Sequence, residues 1–169
     1  VKDKIRAVND FPKPGIIFRD ITTALKEPET LKAMIDYLCE QFKDIKIDYI
    51  AGIESRGFIF GMPMAYKLNA GFVPIRKPNK LPAATYSQEY ELEYGTDKIE
   101  VHQDAFPQGA NVLIVDDLLA TGGTEEAAAK LVKKTGANLV GMAFLIELEA
   151  LQGRNKLADA GKIVSMLTY

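Results

Sequence analysis

The chain has 169 residues, with 21 Lys+Arg against 23 Asp+Glu and a formal net charge of −2. Hydrophobic residues make up 47% and charged residues 26%, which excludes a disordered or collagen-like chain and fits one globular domain over residues 1–169. The near-neutral balance argues against a broad electrostatic surface for nucleic acid or anionic membrane, so a polyanion would have to be held by a few placed groups.

The opening Val1-Lys2-Asp3-Lys4 is charged and lacks an apolar h-region, so no secretory signal is expected there. Residues 9–23 contain Phe11-Pro12-Lys13-Pro14-Gly15, which rules out regular helix and predicts an ordered extended arm. Leu31, Met34, Ile35, Leu38, Cys39 and Phe42 then recur at helical spacing, predicting a helix over 29–42. Cys39, the single cysteine, falls on that apolar face and reads as a core thiol; alone it can form neither an internal disulfide nor a cysteine metal cluster. Together with the lack of any apolar run near the roughly 20 residues of a membrane span, this predicts a cytoplasmic protein.

Apolar, β-branched runs at 47–53, 71–75, 112–115 and 138–148 predict strands, with a last short one at 162–168. Helical patterns at 56–68 and 125–134 lie between them, and Gly136 is placed to end the second. Strands alternating with helices predict an α/β fold with a mainly parallel central sheet flanked by helices. Ligands in such sheets bind beyond the carboxyl ends of the strands. Residues 77–103 break the alternation with Pro78, Pro82, a Tyr/Glu-rich stretch and the alternating run Lys98-Ile99-Glu100-Val101-His102, predicting a lid with a two-stranded flap. His102 has no partner at metal-ligand spacing and reads as structural or exposed.

The most informative window is Val112-Leu113-Ile114-Val115-Asp116-Asp117-Leu118-Leu119-Ala120-Thr121-Gly122-Gly123-Thr124. Two carboxylates end a buried strand, and a small Gly-rich turn opens a helix. Such a turn lets backbone N–H groups converge at the positive end of the helix dipole, which makes a phosphate cradle. Thr121 and Thr124 add hydroxyls, and Asp116 and Asp117 are placed to accept from sugar hydroxyls. The picture is a sugar phosphate with its phosphate on the loop and its hydroxyls on the acids. Neither the P-loop pattern nor G-x-G-x-x-G occurs. A capped turn with two solvated acids is the structural alternative, but it does not call for all these features in one window.

This window resembles the signature of the type I phosphoribosyltransferases, and other segments extend the resemblance over nearly the whole chain, to the members that use adenine. Asp10-Phe11-Pro12-Lys13-Pro14-Gly15-Ile16-Ile17-Phe18-Arg19-Asp20-Ile21 is similar to their N-terminal purine hood, about residues 1–25. Tyr49-Ile50-Ala51-Gly52-Ile53-Glu54-Ser55-Arg56-Gly57-Phe58 is similar to their diphosphate-binding loop. Ile75-Arg76-Lys77-Pro78-Asn79-Lys80-Leu81-Pro82 and Leu92-Glu93-Tyr94-Gly95 are similar to their flexible catalytic loop, about residues 77–103, and the approach to it.

The resemblance implies transfer of ribose 5-phosphate from 5-phosphoribosyl 1-diphosphate to adenine, giving AMP and diphosphate. It implies Mg²⁺ held mainly by substrate and water, with no certain protein ligand, and a homodimer in which Arg76 reaches a neighbouring subunit's site. By the same resemblance Ala120, Thr121, Gly122, Gly123 and Thr124 hold the 5′-phosphate, and Asp116 and Asp117 face the ribose. Glu54, Ser55 and Arg56 bind diphosphate, with a cis peptide between the first two, and Arg76, Lys77 and Lys80 add cations. Lys77 and Lys80 also read as plain surface charges. Glu93 would handle a proton at the purine, with Glu89-Tyr90 a near-duplicate just upstream, and Tyr94 would cover the sugar or leaving group. Tyr86 and Tyr90 would only stiffen the lid. Main-chain groups around Ile17, Phe18 and Arg19 would read adenine, and residues 138–148 lack the Lys by which 6-oxopurine relatives meet their base. A non-catalytic regulator of the same fold would need a DNA-binding segment or basic face, for which neither length nor charge leaves room.

Overall fold

The structure, a computed structural model, describes residues 1–92 and 94–169; Glu93 lies outside the described residues. Contacts within the chain group into two compact units, residues 1–37 and 38–169.

In the first unit a hairpin forms where the sequence suggested an extended arm. Strand β1 (Arg6–Asn9) pairs antiparallel with β2 (Ile17–Asp20). The turn between them contains a cis Phe11–Pro12 bond and is held by the Gly15 amide donating to Asp10 Oδ1 at 2.8 Å. Phe11 packs edge-on against Phe18, with ring centroids 5.3 Å apart. Arg6 is bonded to Asp20, whose carboxyl also accepts from the Thr22 hydroxyl at 2.6 Å. The Thr22 and Arg6 hydrogen bonds hold the Asp20 carboxyl down at about 2. A single turn, α1 (Thr22–Leu25), leads to α2 (Pro28–Glu40). On α2 the predicted apolar face is buried at Met34, Ile35, Leu38 and Cys39.

The second unit is an α/β sheet. Strands β3 (Tyr49–Ile53), β4 (Gly71–Ile75), β7 (Asn111–Leu119), β8 (Asn138–Glu147) and β9 (Lys162–Thr168) lie in the order β4-β3-β7-β8-β9, all parallel. Helix α3 (Arg56–Leu68) connects β3 to β4, and α4 (Gly123–Lys134) connects β7 to β8. Val112, Leu113, Ile114 and Val115 are all fully buried, as expected of a central strand covered on both faces. The chain leaves β3 for one edge of the sheet and β7 for the other. The crevice between their carboxyl ends is therefore the switch point where such sheets take ligands.

The connection after β4 contains the ribbon β5 (Thr85–Glu91) and β6 (Thr96–His102), paired antiparallel in the expected flap. Arg76 and Glu100 exchange backbone hydrogen bonds of 3.0 and 2.7 Å, which tie the ribbon's base to the end of β4. Ile99 and Val101 of the ribbon enter the core, and the Lys134 ammonium donates to the Ser87 carbonyl at 2.9 Å. The end of α2 at Glu40, the start of β3 at Tyr49 and the start of α4 at Gly123 each lie two residues from expectation, and one boundary shifts further. β7 continues through Asp116 and Asp117 to Leu119, because β8 pairs with it that far. Among the described residues no helix is long and apolar enough to cross a membrane.

Candidate active site

A cleft of about 360 Å³ opens at the switch point. From the end of β3 come Glu54, Ser55 and Arg56; from the end of β4, Arg76 and Lys77; from β7, Asp116 and Asp117; from α4, Thr124; and from the ribbon, Tyr90. Residues from five elements, far apart in the sequence, thus meet in one cavity.

The first wall is the turn after β3. The Glu54–Ser55 peptide is cis, as the resemblance implied, and Arg56 starts α3. Gly57 follows because a Cβ there would lie 2.8 Å from the Val115 carbonyl oxygen and 3.2 Å from Asp116 Oδ1, so no side chain fits between α3 and β7. Glu54 Oε1 accepts from Arg76 Nε at 2.9 Å and from the Lys77 amide at 3.1 Å. Burial pushes the Glu54 carboxyl up, but these donors and the nearby Lys80 charge outweigh it and leave it below its ordinary value. Glu54 therefore anchors the Arg76 guanidinium and the Lys77 backbone beside the cleft.

The second wall is the acid pair. Asp117, 7% exposed, accepts from Arg56 Nε at 2.5 Å, and its own amide donates to Asp116 Oδ1 at 2.8 Å. The hydrogen bond and charge of Asp117 raise the Arg56 guanidinium further. The Asp116 carboxyl is pushed well above the usual carboxylate range by loss of hydration and by the neighbouring charges of Asp117 and Glu125. Two adjacent acids at the cleft offer oxygens to which sugar hydroxyls can donate.

The third wall is Thr124, which follows the turn 120–123 at the start of α4. Gly122 turns at φ +89°, outside the range of ordinary side-chain-bearing residues, and α4 begins beyond it without a side-chain cap. The first amides of α4 have no intrahelical acceptor, and Thr124 of its first turn lines the cleft. Such a helix start can hold an anion, while Ala120, Thr121, Gly122 and Gly123 are not among the residues that line this cleft.

Not every predicted site residue lines the cleft. Lys80 and Tyr94 are exposed, Tyr94 87% so. Glu93 lies outside the described residues. Ile17, 54% exposed, and the half-buried Phe18 and Arg19 belong to the hairpin of the first unit. Conversely, Tyr90 does more than stiffen the lid. Its hydroxyl meets Asp97 Oδ2 at 3.4 Å and the Thr124 side chain, and burial raises its proton affinity. Asp97 also takes the Lys77 ammonium at 3.4 Å. Glu125 was missed entirely: it is 4% exposed in the first turn of α4, and burial and Asp117 drive its carboxyl up to about 7. Its position two residues after Gly123 gave no signal, because acids are ordinary in a first helical turn.

The oxygen-rich cleft has hard donors of the kind Mg²⁺ accepts, but no group of three or more His, Cys, Asp or Glu able to hold a metal occurs among the described residues. The donor set fits an ion that brings most of its own ligands as water and substrate oxygens.

Residues 21–166 match the family model described as the phosphoribosyl transferase domain. The chain is 61% identical over 159 residues to the adenine phosphoribosyltransferase of Acaryochloris marina, covering 94% of each. Among solved structures it is similar to adenine phosphoribosyltransferase from Thermoanaerobacter pseudethanolicus, with a TM-score of 0.96, 52% identity, and coverage of 100% of this chain and 98% of that one. It is also similar to the Saccharomyces cerevisiae adenine phosphoribosyltransferase complexed with D-2,5-dideoxy-2,5-imino-altritol 1,6-bisphosphate and adenine, with a TM-score of 0.92 and 43% identity over 98% of this chain and 95% of that one.

Proposed function

The chain belongs to the phosphoribosyl transferase family, and from that premise we infer that it transfers ribose 5-phosphate from 5-phosphoribosyl 1-diphosphate to adenine, forming AMP and diphosphate. The observation that carries the inference is the meeting of the acid pair Asp116 and Asp117, of Arg56 on its cis-peptide turn, of Arg76 and of Thr124 at the start of α4 in one cleft. In the reaction a purine nitrogen bonds to C1 of the ribose as the bond from C1 to the diphosphate oxygen breaks, and the purine gives up a ring proton. Positive charge develops on the sugar and negative charge on the leaving group, so the protein's work is positioning, charge stabilisation and exclusion of water.

In this reading Ala120, Thr121, Gly122, Gly123 and Thr124 grip the 5′-phosphate, while Asp116 and Asp117 orient the ribose hydroxyls. Ser55, Arg56, Arg76 and Lys77 face the diphosphate, with Glu54 holding Arg76 and the Lys77 amide in place and Lys80 adding charge from outside. The backbone of Ile17, Phe18 and Arg19 reads adenine. Glu93 takes the purine proton, with Glu89 the alternative, and Tyr94 covers the sugar or leaving group. Mg²⁺, when bound with the substrate, would supply neutralising charge to the diphosphate, and Asp116 and Asp117 would hold it through water. A homodimer is supported by the exposed apolar stripe Ile59, Met62 and Tyr66 on α3, with Tyr66 91% exposed, which suits burial against a second copy. A cytoplasmic location agrees with the single cysteine.

A panel of purine and pyrimidine bases, incubated with 5-phosphoribosyl 1-diphosphate and Mg²⁺, tests the reading. Adenine is expected to turn over fastest. Faster consumption of hypoxanthine or guanine would overturn the choice of base.

A further inference from the structure

The phosphate loop does not set its own shape. A Cβ on Gly122 would lie 2.5 Å from the Gly153 carbonyl oxygen, and a Cβ on Gly153 would lie 2.5 Å from the Ala120 carbonyl oxygen. Two backbones therefore touch directly, with no side chain between them. Gly153 opens a 3₁₀ turn (Gly153–Lys156), and its neighbour Arg154 fixes that turn to the sheet.

Arg154 Nε lies 3.0 Å from each oxygen of Glu147, and its Nη2 lies 2.9 Å from Oε1. Glu147 ends β8, is 7% exposed, and also accepts from the Ser165 hydroxyl of β9 at 2.7 Å. Arg154 Nη1 reaches the Ile163 carbonyl at 3.4 Å, and the Leu148 amide donates to the Leu119 carbonyl at 3.0 Å. A guanidinium fork on a buried carboxylate is directional and fixes orientation as well as distance. An apolar pair would hold two segments together without that orientation, and replacing buried ion pairs by packed apolar groups often costs no stability. Neither Arg154 nor Glu147 lines the cleft.

A cradle made of backbone amides cannot correct its own aim, since each N–H points where the chain points. Its alignment must come from whatever presses on it from behind. We propose that Arg154, anchored by Glu147, is a positioning residue for the 5′-phosphate: it holds Gly153 against the back of loop 120–124 and keeps the loop amides converged. The proposal rests on the reading of that loop as the phosphate cradle.

The test is ribose 5-phosphate binding by calorimetry, with KM for 5-phosphoribosyl 1-diphosphate and for adenine, in the wild type, Arg154→Met and Arg154→Lys. Arg154→Met is expected to weaken ribose 5-phosphate by roughly tenfold or more and to raise KM for 5-phosphoribosyl 1-diphosphate similarly. KM for adenine should stay within about twofold. Arg154→Lys keeps charge without the fork and should fall between; it carries the test alone if Arg154→Met does not fold. A folded variant with unchanged ribose 5-phosphate binding, or with both KM values shifted in parallel, overturns the proposal. If the wild type itself fails to bind ribose 5-phosphate, the cradle reading falls and the proposal falls with it.

Discussion

Glu125 should make this protein less stable as the pH rises through neutrality. Its carboxyl is 4% exposed and sits at about 7 instead of 4.5, because burial opposes ionisation and Asp117 repels the charge, while Lys156 offsets part of this. Asp116, the other acid that faces it, is itself held above its ordinary range. With the folded-state value above the unfolded one, the folded protein binds more protons between about pH 4.5 and 7. The penalty is thus absent below about pH 4.5, grows across that window and is complete above pH 7, where it reaches about 3 kcal/mol. Glu125→Gln keeps the shape of the protonated acid and removes the titration. The variant should match the wild type near pH 4.5 and exceed its melting temperature by roughly 6–12 °C at pH 8.5, given ~2–4 °C per kcal/mol for a chain of this length. Thermal unfolding by circular dichroism at both pH values measures this. A melting-temperature difference that is the same at the two pH values would refute the assignment of the burial penalty to the Glu125 carboxylate.

Asp117→Asn removes the negative charge that holds Arg56 and should lower kcat/KM for 5-phosphoribosyl 1-diphosphate by on the order of 10²-fold with the fold retained. Steady-state AMP formation and a melting curve check both halves; an unchanged rate would take Asp117 out of the site. Gly57→Ala places a methyl 2.8 Å from the Val115 carbonyl oxygen. It should cost about 1–3 kcal/mol and displace the start of α3 with Arg56, seen as lower urea-unfolding midpoints and reduced turnover; normal values for both would show that the helix end has room to shift. Chelation of divalent cations should abolish AMP formation, and added Mg²⁺ should restore it. Full activity in the chelator would remove the ion from the proposed mechanism.

The segment from Val112 to Lys134 was legible because its information is local. A continuous β-branched run demands burial on both faces, a Gly pair permits the turn, and an alanine- and leucine-bearing face makes the helix. The helical stripe from Leu31 to Cys39 and the alternating run at 98–102 are legible for the same reason: periodicity of 3.6 or 2 is written into neighbouring residues. The extension of β7 through Asp116 and Asp117 was not legible, since β8 supplies the pairing. Tyr90 and Tyr94, four residues apart in one tyrosine-rich stretch, could not be ranked without knowing which one faces Thr124.

By itself the sequence determined the fold class, the Gly-rich turn and the pair of acids, since spacing within one strand, turn and helix dictates them. Only the tertiary structure decided that Arg56 pairs with Asp117 across 61 positions, that Glu125 is stripped of water, and that Gly153 backs Gly122. Those contacts depend on strand order and helix placement, which settle through the burial of the whole core rather than through any local pattern of residues.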